Sequence, residues 1–206
     1  MHRLLLIVPA LLSGVAALAQ TPAAPKSPVP LTLFAGLGRG IYTNDGWPGT
    51  LATVGLQRPF AANSLFSIQP QIGFFQADKA ARDPDKNPGE QYAAFMVDGA
   101  LAVRTSRHPE RLALRVALGP GLVAGRVTNL TRYPGQYLNR DGSVTVLTAP
   151  EYHTDHLLKP TAYWGIGMDI VLENHFYLAG GIESRTYSYF PGDLLSAHLR
   201  LGYQLR

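Results

Sequence analysis

The chain has no cysteine in its 206 residues, which excludes a disulfide scaffold, a thiolate metal site, a cysteine nucleophile and lipid attachment through sulfur. Charge is also scarce. Only 16% of residues are Asp, Glu, Lys or Arg; the net charge is +4, but the basic residues stand singly and form no patch, so no nucleic-acid partner is expected. Beyond the first residues no run of about 18 consecutive apolar side chains occurs, as a spanning helix would need. Helical periodicity is equally hard to find. The one glycine cluster, Gly36-Leu-Gly38-Arg-Gly40, opens no helix and so is not a phosphate loop; no cofactor is expected.

What is present begins with an export signal. Met1-His2-Arg3 is a short basic start, Leu4 to Leu12 an apolar core and Ala17-Leu18-Ala19 a small-x-small cleavage site, predicting a signal peptide over 1–19. Residues 20–30 form a Pro-rich, extended leader. Residues 31–206 form the single folded domain, since the remaining length suits one core.

Across that domain the dominant signal is alternation with a period of two. In the last segment Leu195, Ala197, Leu199, Leu201, Tyr203 and Leu205 alternate with Ser196, His198, Arg200, Gly202, Gln204 and Arg206. The same pattern recurs around Leu31–Gly38, Ala52–Gln57, Gln69–Gln71, Phe95–Arg104, Leu112–Gly119, Ala162–Leu172 and Phe176–Arg185, giving eight strands. One face is Leu, Val, Ile and Phe. The other is Gly and Ala with isolated charges, which suits a narrow lumen better than a water-facing sheet, where Lys, Glu and Thr dominate. Short joints at Pro59–Asn63, Ser106–Glu110 and Glu173–His175 alternate with longer joints after the first, third and fifth strands, the last being a loop from Val127 to Leu158. Tight periplasmic turns and long outer loops have that order. Pro70 and Pro120 fall inside strands and predict β-bulges, and Phe66, Phe176 and Tyr203 at one rim with Phe74 and Trp164 toward the other predict aromatic girdles.

On these residues the domain resembles the small eight-stranded outer-membrane β-barrels of the OmpA/OmpX type. The resemblance implies an all-β, antiparallel up-and-down transmembrane barrel in the outer membrane of a Gram-negative bacterium, in contact with outer-membrane lipid and lipopolysaccharide. The terminal segment Arg200-Leu-Gly-Tyr-Gln-Leu-Arg206 is similar to the signal read by barrel-insertion machinery, without the usual terminal aromatic residue.

Three groups could carry function. Asp98, Arg115, Asp169, Glu183, Arg185, His198 and Arg200 all fall on the inner face, with Arg115 and Asp169 at similar depth on neighbouring strands; they read as an ion-paired network that plugs the lumen, against a gated pore. Ser196, His198 and Glu183 supply a nucleophile, base and acid on one face, the types that acyl transfer requires. The long loop carries Arg132, Tyr133, Tyr137, His153 and His156 as an interaction surface. Within it Glu151, His153, Asp155 and His156 are ligand types for a divalent metal, though a solvated polar loop is the plainer reading and no metal is expected. The function anticipated is a non-enzymatic envelope barrel acting in structure or surface interaction. The alternatives are a lipid-modifying barrel enzyme or a soluble periplasmic barrel with a small apolar ligand.

Overall fold

The computed structural model describes residues 29–43, 46–78, 89–132, 135–173, 175–187 and 193–205. The expected signal peptide and the leader up to residue 28 lie outside the described residues. The strands are β1 (Leu31–Tyr42), β2 (Trp47–Pro59), β3 (Phe66–Asp78), β4 (Gln91–Arg104), β5 (Ala113–Arg132), β6 (Gly135–Leu138), β7 (Val144–Thr148), β8 (Glu151–Leu172), β9 (Phe176–Thr186) and β10 (Leu194–Leu205). Eight of these close one barrel in the order β1-β10-β9-β8-β5-β4-β3-β2, each antiparallel to its neighbours, while β6 and β7 pair with each other. The chain is therefore an all-β, eight-stranded, up-and-down barrel, and no described helix is long and apolar enough to cross a membrane.

Closure depends on the period-two pattern. From Leu31↔Leu205 to Tyr42↔Leu194 the β1–β10 ladder runs without a slip, so every outward leucine meets an outward partner and every inward polar group an inward one. Large lumen side chains on β10 face glycines on β1: Arg200 opposes Gly36, and a Cβ there would sit 2.9 Å from Arg200 Cγ. The glycine is the space the guanidinium stem occupies.

Burial is inverted relative to a water-soluble sheet. Leu37, Phe95, Leu118, Leu158, Leu199 and Leu201 are 60–70% exposed, whereas Arg185, Arg200 and Glu183 are 0% exposed. Water would penalise that apolar exterior by roughly 25 cal/mol for each Å², and hydrocarbon would not. The outer face thus fits lipid, with Phe74 against Phe95 at 4.9 Å at one level and Phe176 against Tyr203 at 6.1 Å at the other. Inside, the half nearer the long connections is apolar: Tyr42, Trp47, Leu51, Phe75, Tyr92, Met96 and Leu194 form one cluster, with Tyr42 stacked on Tyr92 at 4.4 Å. Most of the charged residues fill the other half, with Arg185 and Asp193 at the level of Leu194.

The structure corrects three expectations. No bulge occurs at either proline. Instead, the β2–β3 ladder skips Leu56 and Gln57 opposite Pro70, and the β4–β5 ladder skips Gly99 and Ala100 opposite Pro120, with register unchanged on both sides. A proline removes a donor without adding a residue, so the strands need only pass closely. Gly99 lies between the two prolines, and Gly119 approaches its backbone so nearly that an added Cβ would collide with the Gly99 carbonyl.

The joint between β1 and β2 is also tight, not long. Both strands continue to an inward pair, Tyr42 and Trp47, whose rings lie 6.0 Å apart, and Gly46 adopts a positive φ of 65° to close the turn. Finally, the segment from Val127 to Leu158 is not a loop but the upper half of a hairpin. β5 and β8 stay paired as far as Arg132↔Glu151, with a register shift after Leu130, and β6–β7 forms a second small hairpin at the tip. Both faces of this stretch meet solvent, so its sequence lacks the alternation that marks a half-buried strand.

Candidate functional site

Two features stand out, a buried charge network and the projecting hairpin. Glu183 on β9 is the centre of the first. Its carboxylate accepts from Arg185 Nη1 at 3.2 Å, Arg200 Nη2 at 2.5 Å and Tyr163 Oη at 3.2 Å, and His198 Nδ1 stands 3.7 Å away. Arg185 also donates to Asp98 Oδ2 from Nε at 3.0 Å and Nη2 at 2.6 Å, so it bridges two carboxylates across the lumen. Gln71 extends the bridge by donating to Asp98 at 3.0 Å and accepting from Arg200 at 2.9 Å. Arg200 further packs on the Phe34 ring at 4.9 Å and Arg185 over Tyr163 at 5.3 Å.

Asp169 and Arg115 do not pair with each other. Asp169 accepts from Arg104 Nε at 2.8 Å, nearer the turn end, while Arg115 donates to Gln69 at 3.0 Å and Tyr177 at 2.9 Å. The ladder explains this, because Asp169 lies opposite Ala113 and Arg115 opposite Gly167, which leaves the two side chains a step apart. Gln69, Gln71, Tyr163, Tyr177 and Arg104 are full members of the network. Alternation places them on the inner face, but neutral amides and phenols carry no charge signal that would single them out in a sequence.

The arrangement is a filled lumen. Four arginines (104, 115, 185, 200) face three carboxylates (98, 169, 183), a sum of 4 − 3 = +1 if His198 is neutral. Because Arg185, Arg200 and Glu183 are 0% exposed, no water-wide passage exists at their level. Several buried atoms, including Asp98 Oδ1, Arg200 Nε and both ring nitrogens of His198, make no hydrogen bond among the described residues.

Ser196 does not complete a nucleophilic set. Its hydroxyl lies 3.5 Å from the Glu183 backbone carbonyl, not on His198, and no His198 nitrogen has a hydrogen-bond partner. Ser196 and His198 are also buried inside the barrel.

The second feature rises above the barrel. β8 pairs with β5 along its whole length but with β9 only from Ala162 onward, so Glu151–Thr161 has one ladder neighbour among the described residues. That stretch is almost wholly exposed. Arg132 reaches Glu151 at 3.4 Å at the top, His153 meets Asp155 at 3.1 Å on the inward-leaning face, and His156 lies across from Arg126 on the outer face. Tyr133 and the side chain of Tyr137 lie outside the described residues. No group of three His, Asp or Glu capable of holding a metal occurs among the described residues.

No protein-family profile matches the sequence, and no curated protein matches it. Solved structures do. The N-terminal β-barrel domain of Pseudomonas aeruginosa OprF is similar over 85% of this chain and 97% of its own, with 11% identity and a TM-score of 0.53. Ail, the attachment invasion locus protein of Yersinia pestis, solved with the heparin analogue sucrose octasulfate, is similar over 87% of this chain and 100% of its own, with 12% identity and a TM-score of 0.50. With a closed eight-strand ladder, an apolar exterior and a polar lumen, the chain has the fold of the small eight-stranded outer-membrane β-barrels.

Proposed function

We propose that this protein is a non-enzymatic outer-membrane barrel of a Gram-negative bacterium that holds the β5–β8 hairpin outside the cell as a docking surface. The observation that carries this reading is the edge of β8 over Glu151–Thr161, which has a ladder neighbour on one side only among the described residues, above a lumen closed by ion pairs. A filled lumen suits an anchor and not a conduit. An edge strand with free backbone groups is a template onto which a partner's extended segment adds. Lys159 and Pro160 lie on this edge and oppose indiscriminate pairing, because a charge and a missing N–H both disfavour strand addition. Ser196, buried and turned to a carbonyl, lends no support to lipid modification. The charged interior likewise disfavours a small apolar ligand.

The lipid-facing leucines would contact outer-membrane lipid, and β10 would be the strand presented to the barrel-insertion machinery. Because the chain has no native cysteine, single replacements report topology directly. Asp141→Cys beyond β6 should react with a membrane-impermeant maleimide on intact cells, and Ser106→Cys between β4 and β5 only after lysis. Equal labelling of both before lysis would overturn the topology, and with it the reading.

A further inference from the structure

Beyond the ion pairs, at the turn end of the lumen, the side chains leave a cavity of about 40 Å³ among the strand ends and the β2–β3 and β4–β5 turns. That volume holds roughly three water-sized groups. The cavity reaches the surface beside Arg107, which is exposed on the β4–β5 turn.

The polar groups that line it are incompletely bonded. An arginine on a carboxylate commonly closes a fork, with two N–H groups on the two oxygens. Here Arg104 Nε donates to Asp169 Oδ1 at 2.8 Å, but Arg104 Nη2 and Asp169 Oδ2, both buried, make no hydrogen bond among the described residues. A cationic donor and an anionic acceptor are left beside one another. Two carboxamides line the same cavity. Gln57 donates its Nε2 to Ser67 Oγ at 3.0 Å, and Gln204 is fixed through its main-chain N–H to the His175 carbonyl at 2.7 Å. The Oε1 of each is buried and makes no hydrogen bond among the described residues. Gln57, Gln204 and Asp169 are all more than nine-tenths buried. A buried polar atom left unbonded is costly to fold around, so four at one small cavity mark a place that a bound group completes.

We propose that this cavity binds the head of a small zwitterion of the α-amino-acid type. Asp169 Oδ2 and the Gln57 and Gln204 carbonyls take the ammonium, and Arg104 Nη2 and Arg107 take the carboxylate. An ammonium has three N–H donors for those three acceptors, and a guanidinium suits carboxylate oxygens. A simple cation would leave Arg104 unmatched, and a simple anion would face the charge of Asp169. A head with both charges one carbon apart meets both, while its side chain extends past Arg107 into solvent. The site lies at the opposite end of the barrel from the β5–β8 hairpin and is independent of any partner docked there.

The full chain, refolded in an uncharged detergent, is titrated calorimetrically with glycine, methylammonium and acetate. Glycine should bind at one site, and methylammonium and acetate each about tenfold more weakly or less tightly still, the scale of one hydrogen bond to a charged group. Gln57→Leu should weaken glycine about tenfold. Arg107→Gln should weaken glycine and acetate and leave methylammonium unchanged, a split that a merely structural role would not produce. Arg140→Gln, at the hairpin tip, should bind as the wild type. Heat-dependent gel mobility of the same samples reports which variants have closed, and the exposed Arg107 can be replaced without disturbing the lumen even where Gln57→Leu fails to close. Absence of glycine binding by the closed wild type, methylammonium or acetate bound as tightly as glycine, or wild-type affinities in closed Gln57→Leu or Arg107→Gln would overturn the proposal.

Discussion

Replacing Glu183 by Gln tests how far the lumen depends on its central carboxylate. The two arginines on Glu183 are not equivalent. Arg185 keeps two bonds to Asp98 when the charge is removed, at 3.0 and 2.6 Å, but Arg200 keeps only Gln71 at 2.9 Å and the face of Phe34. Arg200 is 0% exposed and cannot turn to water. Breaking one partner out of a buried pair costs about 3–5 kcal/mol, chiefly because a buried charge is stranded. With Arg185 still paired, the lower end applies, so Glu183→Gln should lose about 3 kcal/mol, a factor of roughly 100 in the folding equilibrium. Urea unfolding in detergent micelles, read by the heat-dependent gel mobility of the closed barrel, measures it. A second variant tests the cause. Adding Arg200→Met removes the stranded charge and should return most of that loss, since apolar replacement of a buried pair is often neutral. A single variant within about 1 kcal/mol of wild type, or a double variant worse than either single, would show that Glu183 does not hold Arg200's charge in the lumen.

Gly121→Ala should destabilise by about 1–3 kcal/mol, because its Cβ would collide with Asp98 Oδ1 and meet Thr161 Oγ1 at 2.6 Å, whereas Gly99→Ala, with nothing within 4 Å, should lie within about 0.5 kcal/mol of wild type; chemical denaturation of the two side by side checks both. The purified protein should give no steady single-channel conductance in a planar bilayer, and stable openings of uniform size would contradict a filled lumen. Replacing residues 129–154 with a two-residue turn should leave the heat-modifiable barrel intact, because β4 and β9 do not pair with that segment. Failure to fold would show that the hairpin belongs to the core.

Much of the fold was legible because a barrel wall imposes one rule on every strand. Alternation in Leu195–Leu205 or Ala162–Leu172 reports a face toward lipid and a face toward the lumen, and each strand was found in the predicted orientation. What escaped the sequence escaped for physical reasons. Beyond the closed wall the hairpin has solvent on both sides, so Thr128, Asn129, Thr154 and Asp155 carry no periodic signal and resemble a loop. Depth inside the lumen depends on register across strands, which cannot be read from one strand alone. A slip of two residues separates Arg115 from Asp169 and gives Asp169 to Arg104. The aromatic filling around Tyr42, Trp47 and Tyr92 was similarly hidden. These rings stand at strand ends, where an inward plug and an outward girdle look identical in sequence.

A closed barrel with ion pairs filling its lumen and an apolar exterior should behave as a membrane protein. Cell fractionation, followed by electrophoresis of heated and unheated outer-membrane extract, decides this. The protein should be confined to the outer-membrane fraction and change mobility only on boiling; a soluble periplasmic protein, extracted without detergent and with one mobility, would show that the exterior does not face lipid.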